Sequence, residues 1–371
     1  MSKRTKKIIL AAGIFALALV SVWFFHFKKT SMIVFAQSGS SFPCIISDPI
    51  VGHKLKPECK ETAHRLGKET FIRINAAGIR GAEIEPRKKN TTRVLLLGTS
   101  GLFGIGTEEA ATVSEKLELI LNKQHQNKVE VLNGGIEGYF ITQHYLRFAE
   151  MLSETNPQAV VMILNPESGF FKDFVLNEFC KKSPDGLPAS CSINPTENLP
   201  KIFSKFAENS PKAFFLFYTA QMFLKRIFLS NKLSFMEKGK RIDFILDSPL
   251  KILLRMKAMS EARGVNFSVF LPIAGITNSI YVGGYINRPL ATLLYQLEAP
   301  LGLEEDGALV AEKIKQAGIP VLGRTPEKLN VWKKEKFNSF AYIGDYHANA
   351  EGDDFLANWI ADELRLNLIK K

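Results

Sequence analysis

The chain has 371 residues, 46% of them hydrophobic and 23% charged, a balance that supports a buried core and excludes a disordered chain. Its formal net charge is +11, but six of the positive side chains (Lys3, Arg4, Lys6, Lys7, Lys28, Lys29) fall in the first 29 residues, which hold no acid. The remaining 342 residues carry only +5. That speaks against a nucleic-acid partner, since a nucleic-acid binder carries its basic excess on the folded domain.

Ile8 to Phe25 is an uncharged apolar run of 18 residues. As a helix it spans about 27 Å, close to the ~30 Å core of a bilayer. Trp23, Phe24 and Phe25 stand at its far end, where an aromatic belt belongs. Lys3, Arg4, Lys6 and Lys7 keep the N-terminus in the cytoplasm by the positive-inside rule and send the body across; Lys28 and Lys29 count against that orientation. A cleaved signal peptide, ending near Val34-Phe35-Ala36, is the rival reading. Signal cores run to about 7–15 residues, so the longer run favours an uncleaved single-pass anchor over residues 1–29. Both readings place the body in the periplasm or outside the cell.

The four cysteines agree with export. Cys44 and Cys59 form one sequence-local pair, Cys180 and Cys191 another. Of three connectivities, disulfides 44–59 and 180–191 are the natural expectation. No C-x2-C spacing exists, so zinc is not expected.

In chain order, residues 30–90 read as an irregular polar leader with one ordered-looking segment, Phe71 to Gly81. Val94–Leu97 reads as a short buried strand. Thr112-Val113-Ser114-Glu115 reads as a capping box opening a helix with Val113, Leu117, Ile120 and Leu121 on one face. Val129–Leu132 is a second strand, Ile141–Ser153 a second helix and Val160–Leu164 a third strand. Strand and helix alternating at this spacing mean βαβ units and a parallel sheet. Residues 168–250 break the rhythm and read as an insertion. Alternation resumes with a helix near Pro249–Arg263, a strand at Phe267–Leu271, a helix near Leu303–Gln316 and a strand at Pro320–Leu322. Asn349 caps a last helix with Phe355, Leu356, Trp359, Ile360 and Leu364 inward. The expected fold is a doubly wound, three-layer αβα sandwich over residues 91–371. Within the insertion, Phe214–Leu224 is apolar and admits three readings: a second span, a membrane-surface lid, or a buried helix.

Three stretches carry candidate chemistry. The first strand runs into Gly98-Thr99-Ser100-Gly101-Leu102-Phe103-Gly104, which places Ser100 at the carboxyl edge of a parallel sheet, where α/β sites form. A nucleophile turn and a plain structural turn both fit. A phosphate loop fits poorly, because no Lys follows and the glycine spacing is wrong. The second strand ends in Asn133-Gly134-Gly135-Ile136-Glu137-Gly138, a turn whose backbone N–H groups could form an oxyanion hole. Far along the chain, Asp345-Tyr346-His347 leads directly into the last helix.

Taken in order, these stretches resemble the SGNH (GDSL-type) serine hydrolase superfamily over roughly residues 71–365. Gly98-Thr99-Ser100 with Gly104 is similar to its first block, and Asn133 to Gly138 to its second. Asp345-Tyr346-His347 is one residue shorter than the last block, a form similar to the alginate O-acetyltransferase-like branch. Asn75-Ala76-Ala77-Gly78-Ile79-Arg80-Gly81 resembles a leader of membrane-anchored bacterial members. Two positions depart: Thr99 replaces the usual Asp, and Glu167 falls where the third block has its oxyanion Asn. The resemblance implies Ser100 as nucleophile, His347 as base and Asp345 as its orienting carboxylate. Oxyanion donors would be the N–H groups of Ser100 and Gly138, with Asn165 substituting from a shifted position. It implies an exported esterase or O-acyltransferase, with no metal or cofactor, acting on ester-bearing envelope carbohydrate or lipid. The alternative is a binding or scaffolding protein that kept the fold and lost the activity.

Overall fold

Val94, Leu95, Leu96 and Leu97 are each at most 1% exposed, and their alternation sets the architecture. Val94 and Leu96 enter the hydrophobic layer on one face of a sheet, Leu95 and Leu97 the layer on the other, as the two-residue period of a strand buried on both faces requires. The computed structural model describes residues 44–65, 68–124, 127–164, 169–178, 180–191, 235–272, 307–335, 339–340 and 347–367.

The leader comes first. Hairpin β1 (Ile45–Asp48) with β2 (Gly52–Leu55) precedes hairpin β3 (Lys60–Arg65) with β4 (Lys68–Arg73). The expectation of an irregular leader is corrected here. Polar strands such as Lys60–Arg65 carry no apolar run to betray them. Their order comes from the Cys44–Cys59 disulfide and from burial of Leu55, Ile72 and Ile74 against Phe103, Ile105, Ile136 and Tyr139 of the body.

The body then alternates. Strand β5 (Thr91–Gly98) is followed by the single turn α1 (Ser100–Phe103) and helix α2 (Val113–Gln124). Next come β6 (Lys128–Gly135), α3 (Ile141–Thr155), β7 (Ala159–Ile163) and α4 (Gly169–Asn177). A small hairpin, β8 (Lys181–Lys182) with β9 (Pro188–Ser190), spans the Cys180–Cys191 disulfide. After it come α5 (Lys238–Glu261), β10 (Asn266–Phe270), α6 (Gly307–Gln316), β11 (Val321–Leu322), α7 (Pro326–Glu335) and α8 (Ala350–Asn367). Both disulfides pair as the sequence suggests.

Strands β6, β5, β7, β10 and β11 lie side by side in that order, all parallel. Numbered along the chain, the sheet reads 2-1-3-4-5. In this topology the strand order reverses beside the first strand and opens a crevice at its carboxyl end. Helices α2 and α8 cover one face with Leu117, Leu121, Trp359 and Ile360. Helices α3, α4, α5 and α6 cover the other with Phe148, Phe170, Ile245 and Val310. The doubly wound α/β expectation therefore holds.

Three details differ from the sequence reading. Helix α5 begins eleven residues before Pro249 and runs through it. Ile242, Ile245, Leu246, Ile252, Leu253 and Met256 form one buried stripe along it, and that burial overrides the proline's usual place at a helix start. Phe170, Phe174 and Ile242, expected in an insertion, belong to the main core. The Thr112 hydroxyl donates back to the Glu109 carbonyl (2.8 Å), serving the preceding 3-10 turn. Among the described residues no helix is long and apolar enough to cross a membrane; Ile8–Phe25 and Phe214–Leu224 lie outside the described residues.

Candidate active site

The first parallel strand ends at Gly98, beside the reversal in strand order. Thr99 is extended, and Ser100 opens the single turn α1. A turn this short cannot hold itself, because its last carbonyls have no partners within it. Side chains from elsewhere supply them. Asn133 Nδ2 donates to Leu102 O (2.9 Å). Arg80 donates to Phe103 O (2.6 Å), Gly104 O (2.7 Å) and Thr107 O (2.7 Å). Its guanidinium lies 5.0 Å from the Phe103 ring centre and is 3% exposed. Burial lowers the Arg80 pKa to about 10, which leaves it charged at neutral pH. Gly104 closes the turn at φ +87°, and a Cβ there would meet Arg80 Nη1 at 2.9 Å and Thr112 Cγ2 at 2.8 Å. Only glycine leaves room for the arginine.

The strand side of Ser100 is held as firmly. Gly98 O accepts from Ile136 N (3.1 Å) and from His144 Nε2 (2.9 Å). His144 is fully buried. Burial pushes its pKa down to about 4, so the ring is neutral with its proton on Nε2.

His347 arrives from the far end of the chain. Asn349 Oδ1 accepts from Glu351 N and Gly352 N, both at 3.0 Å, which caps α8 as the sequence suggests. Asn349 Nδ2 donates to Ser339 O (2.7 Å). Lys116 of α2 donates to Ala350 O (2.8 Å) and pairs with Asp354 (2.8 Å). The start of α8 is thus pinned to α2, the helix that follows the Ser100 turn. The result brings His347 Nε2 to 2.9 Å from Ser100 Oγ, with the imidazole 8% exposed. The oxygen–nitrogen pair is arranged for proton transfer from the hydroxyl to the ring.

Of the other sequence-derived site residues, Asp345, Asn165 and Glu167 lie outside the described residues. Gly138 is exposed, at φ +78°, on the turn after β6. It faces His53 of the leader, 3.6 Å from its position for a Cβ, and is not among the described residues lining the Ser100 cavity. His53 Nε2 donates to Glu137 O (2.8 Å), and Tyr139 OH donates to His53 O (2.6 Å). The leader therefore fixes the Glu137–Gly138 peptide. Arg80, Asn133 and His144 were not assigned roles from sequence. Arg80 had a signal, since it falls in the ordered-looking leader segment; His144 had none beyond being one of six histidines.

An apolar cavity of about 80 Å3 lies beside Ser100 and His347, both of which line it. Ile163, Leu164 and Phe270 at the strand ends are part of its wall, and so are Trp332, Phe340 and Leu356. Trp332, Phe340 and Phe355 stack at centroid distances of 5.0–6.0 Å, which stiffens that wall. Among the described residues, one grouping of metal-ligand types is close enough to share an ion: Cys44, Cys59 and Glu61. Its two sulfurs are bonded to each other.

No protein-family model matches the sequence, and no curated protein matches it. Solved structures similar to the chain include the crystal structure of TesA (12% identity, 74% of this chain and 99% of that one, TM-score 0.40). A lipase/acylhydrolase from Enterococcus faecalis is similar over 76% of this chain and 98% of that one, at 12% identity and TM-score 0.38. A GDSL-like lipase from Bacteroides thetaiotaomicron is similar over 76% of this chain and 92% of that one, at 14% identity and TM-score 0.37.

Proposed function

We propose that the chain is an SGNH-type serine esterase or O-acyltransferase, anchored by its N-terminal helix with its body exported, acting on ester-bearing envelope carbohydrate or lipid. The observation that carries the enzymatic reading is the 2.9 Å contact of Ser100 Oγ with His347 Nε2, placed at the carboxyl edge of the first parallel strand. The apolar N-terminal run, the basic residues before it and the two disulfides support export.

In the proposed reaction Ser100 Oγ attacks the ester carbonyl carbon while its proton passes to His347 Nε2. The carbonyl oxygen becomes an oxyanion. The N–H of Ser100 stabilises it, with Asn165 as the further donor that the motifs imply. Collapse breaks the bond to the alcohol, which leaves with the proton from His347, and Ser100 holds the acyl group. Water or an acceptor hydroxyl then gives a proton to His347 and attacks the acyl carbon; the bond to Ser100 Oγ breaks, and the serine oxygen takes that proton back from His347. Asp345 orients the imidazole in this reading.

The test is labelling of the protein by a fluorophosphonate serine probe, beside Ser100→Ala. Labelling of the parent and none of the variant is expected. A folded parent that does not label overturns the activated-serine reading and favours a binding protein that kept the fold.

A further inference from the structure

We propose that the cavity beside Ser100 is an acyl pocket matched to an unbranched chain of two to four carbons. This rests on the serine-acyl reading and adds to it the class of acyl group. Both reactive side chains line the cavity, so an acyl group carried on Ser100 has it as the adjacent apolar space. Its volume is about 80 Å3. A cavity of about 150 Å3 with Leu, Ile and Phe walls accepts benzene, a six-carbon ring. Roughly half that volume suits an acyl tail of two to four carbons.

The chemistry of the walls decides which half of an ester enters. Ile163, Leu164, Phe270, Trp332, Phe340 and Leu356 offer no charged side chain. A sugar ring or phosphate head there would leave its polar groups unpaired, and it would not fit. The alcohol part of the ester therefore stays on the open side of Ser100, and the pocket reads the acyl part alone. Its lining cannot retreat cheaply. Trp332 and Ile360 are at most 6% exposed, and Ile360 sits in the layer between α8 and the sheet. A longer tail must displace packed core or turn outward.

The experiment is the rate of nitrophenolate release, burst included, from p-nitrophenyl esters of two, four, six, eight and twelve carbons. It uses the full chain, with Ser100→Ala as the blank. Each methylene that finds apolar space gains about fourfold. kcat/KM is therefore expected to rise from acetyl to butyryl and to fall about tenfold or more by octanoyl, where the tail overfills the site. Leu356→Ala should move the optimum to longer chains, and Leu356→Phe to acetyl. An optimum at eight carbons or longer in the parent, or an unchanged optimum in both folded variants, overturns the pocket while leaving the serine reading intact. Release no faster than from Ser100→Ala with every ester overturns the serine reading itself.

Discussion

Ser100 Oγ and His347 Nε2 stand 2.9 Å apart although 247 residues separate them. The contact depends on two separately built supports, a turn clamped by Arg80 and Asn133 and a helix start clamped by Asn349 and Lys116. In the proposed reaction the hydroxyl and the ring act as one unit, so the effects of removing them are expected not to add. His347→Ala is expected to lower turnover of an activated ester by about 10⁴-fold or more, and Ser100→Ala by a similar factor. The double variant should be no slower than either single one. Steady-state rates of the three proteins, with circular dichroism to show that they fold, make the comparison. Losses that multiply in the double variant would mean that the two side chains act apart.

Arg80 connects the leader to the Ser100 turn. Its three acceptors, the carbonyls of Phe103, Gly104 and Thr107, are all buried. Leaving a buried carbonyl unpaired costs about 1–3 kcal/mol. Arg80→Met is therefore expected to destabilise the protein by about 3 kcal/mol or more and to slow labelling of Ser100. Arg80→Lys keeps the charge but lacks the planar fork that reaches three oxygens, so it should recover only part of both. Urea unfolding and labelling rates measured together check this. Labelling at the parent rate in a destabilised Arg80→Met would confine the arginine to a stabilising role.

How much of this was legible in the sequence follows from where each signal lives. The buried runs at Val94–Leu97, Val129–Leu132 and Val160–Leu164 declare strands because a strand covered on both faces needs uninterrupted apolar residues. Asn349 declares a helix start because a short amide at the cap bonds the first free N–H groups. The leader hairpins are invisible by the same logic: Lys60–Arg65 has no period, and its partner is chosen by a disulfide and by the body beneath. The pairing of Ser100 with His347 is legible through motif order, which local patterns carry. The supporting residues are not. Arg80 and His144 act on carbonyls 23–46 residues away, and no local pattern encodes contacts of that range.

His144 makes a prediction about acid. Its ring is neutral in the folded protein with a pKa of about 4, against an ordinary value of 6.5. Between those values the unfolded chain binds a proton that the folded one refuses, so stability falls as the pH drops from about 6.5 to about 4. The full loss is about 3 kcal/mol. His144→Asn removes this titration, and its stability should change less over the same window even if its absolute stability is lower. Urea midpoints at pH 7, 6, 5 and 4 decide the matter. A slope unchanged by the substitution would assign the acid sensitivity to other groups.

Asp353 works in the opposite direction. It lies in the first turn of α8 and is 1% exposed. Burial pushes its carboxyl up to about 8, and the nearby positive charges of Lys116 and Arg80 offset only part of that. A carboxyl raised above its unfolded value of 3.8 keeps its proton in the folded state after the unfolded chain has lost it. Stability from this group is therefore fullest below about pH 4 and declines as the pH rises to about 8. Asp353→Asn keeps the shape and cannot ionise, so it avoids the decline. Relative to the parent it should gain stability steadily from pH 5 to pH 8, by on the order of 3 kcal/mol at the upper end. Paired urea titrations at pH 5, 6.5 and 8 measure that difference directly. If the variant instead loses ground as the pH rises, Asp353 is ionised and held by Arg80. The link between the Ser100 turn and α8 would then be a buried ion pair.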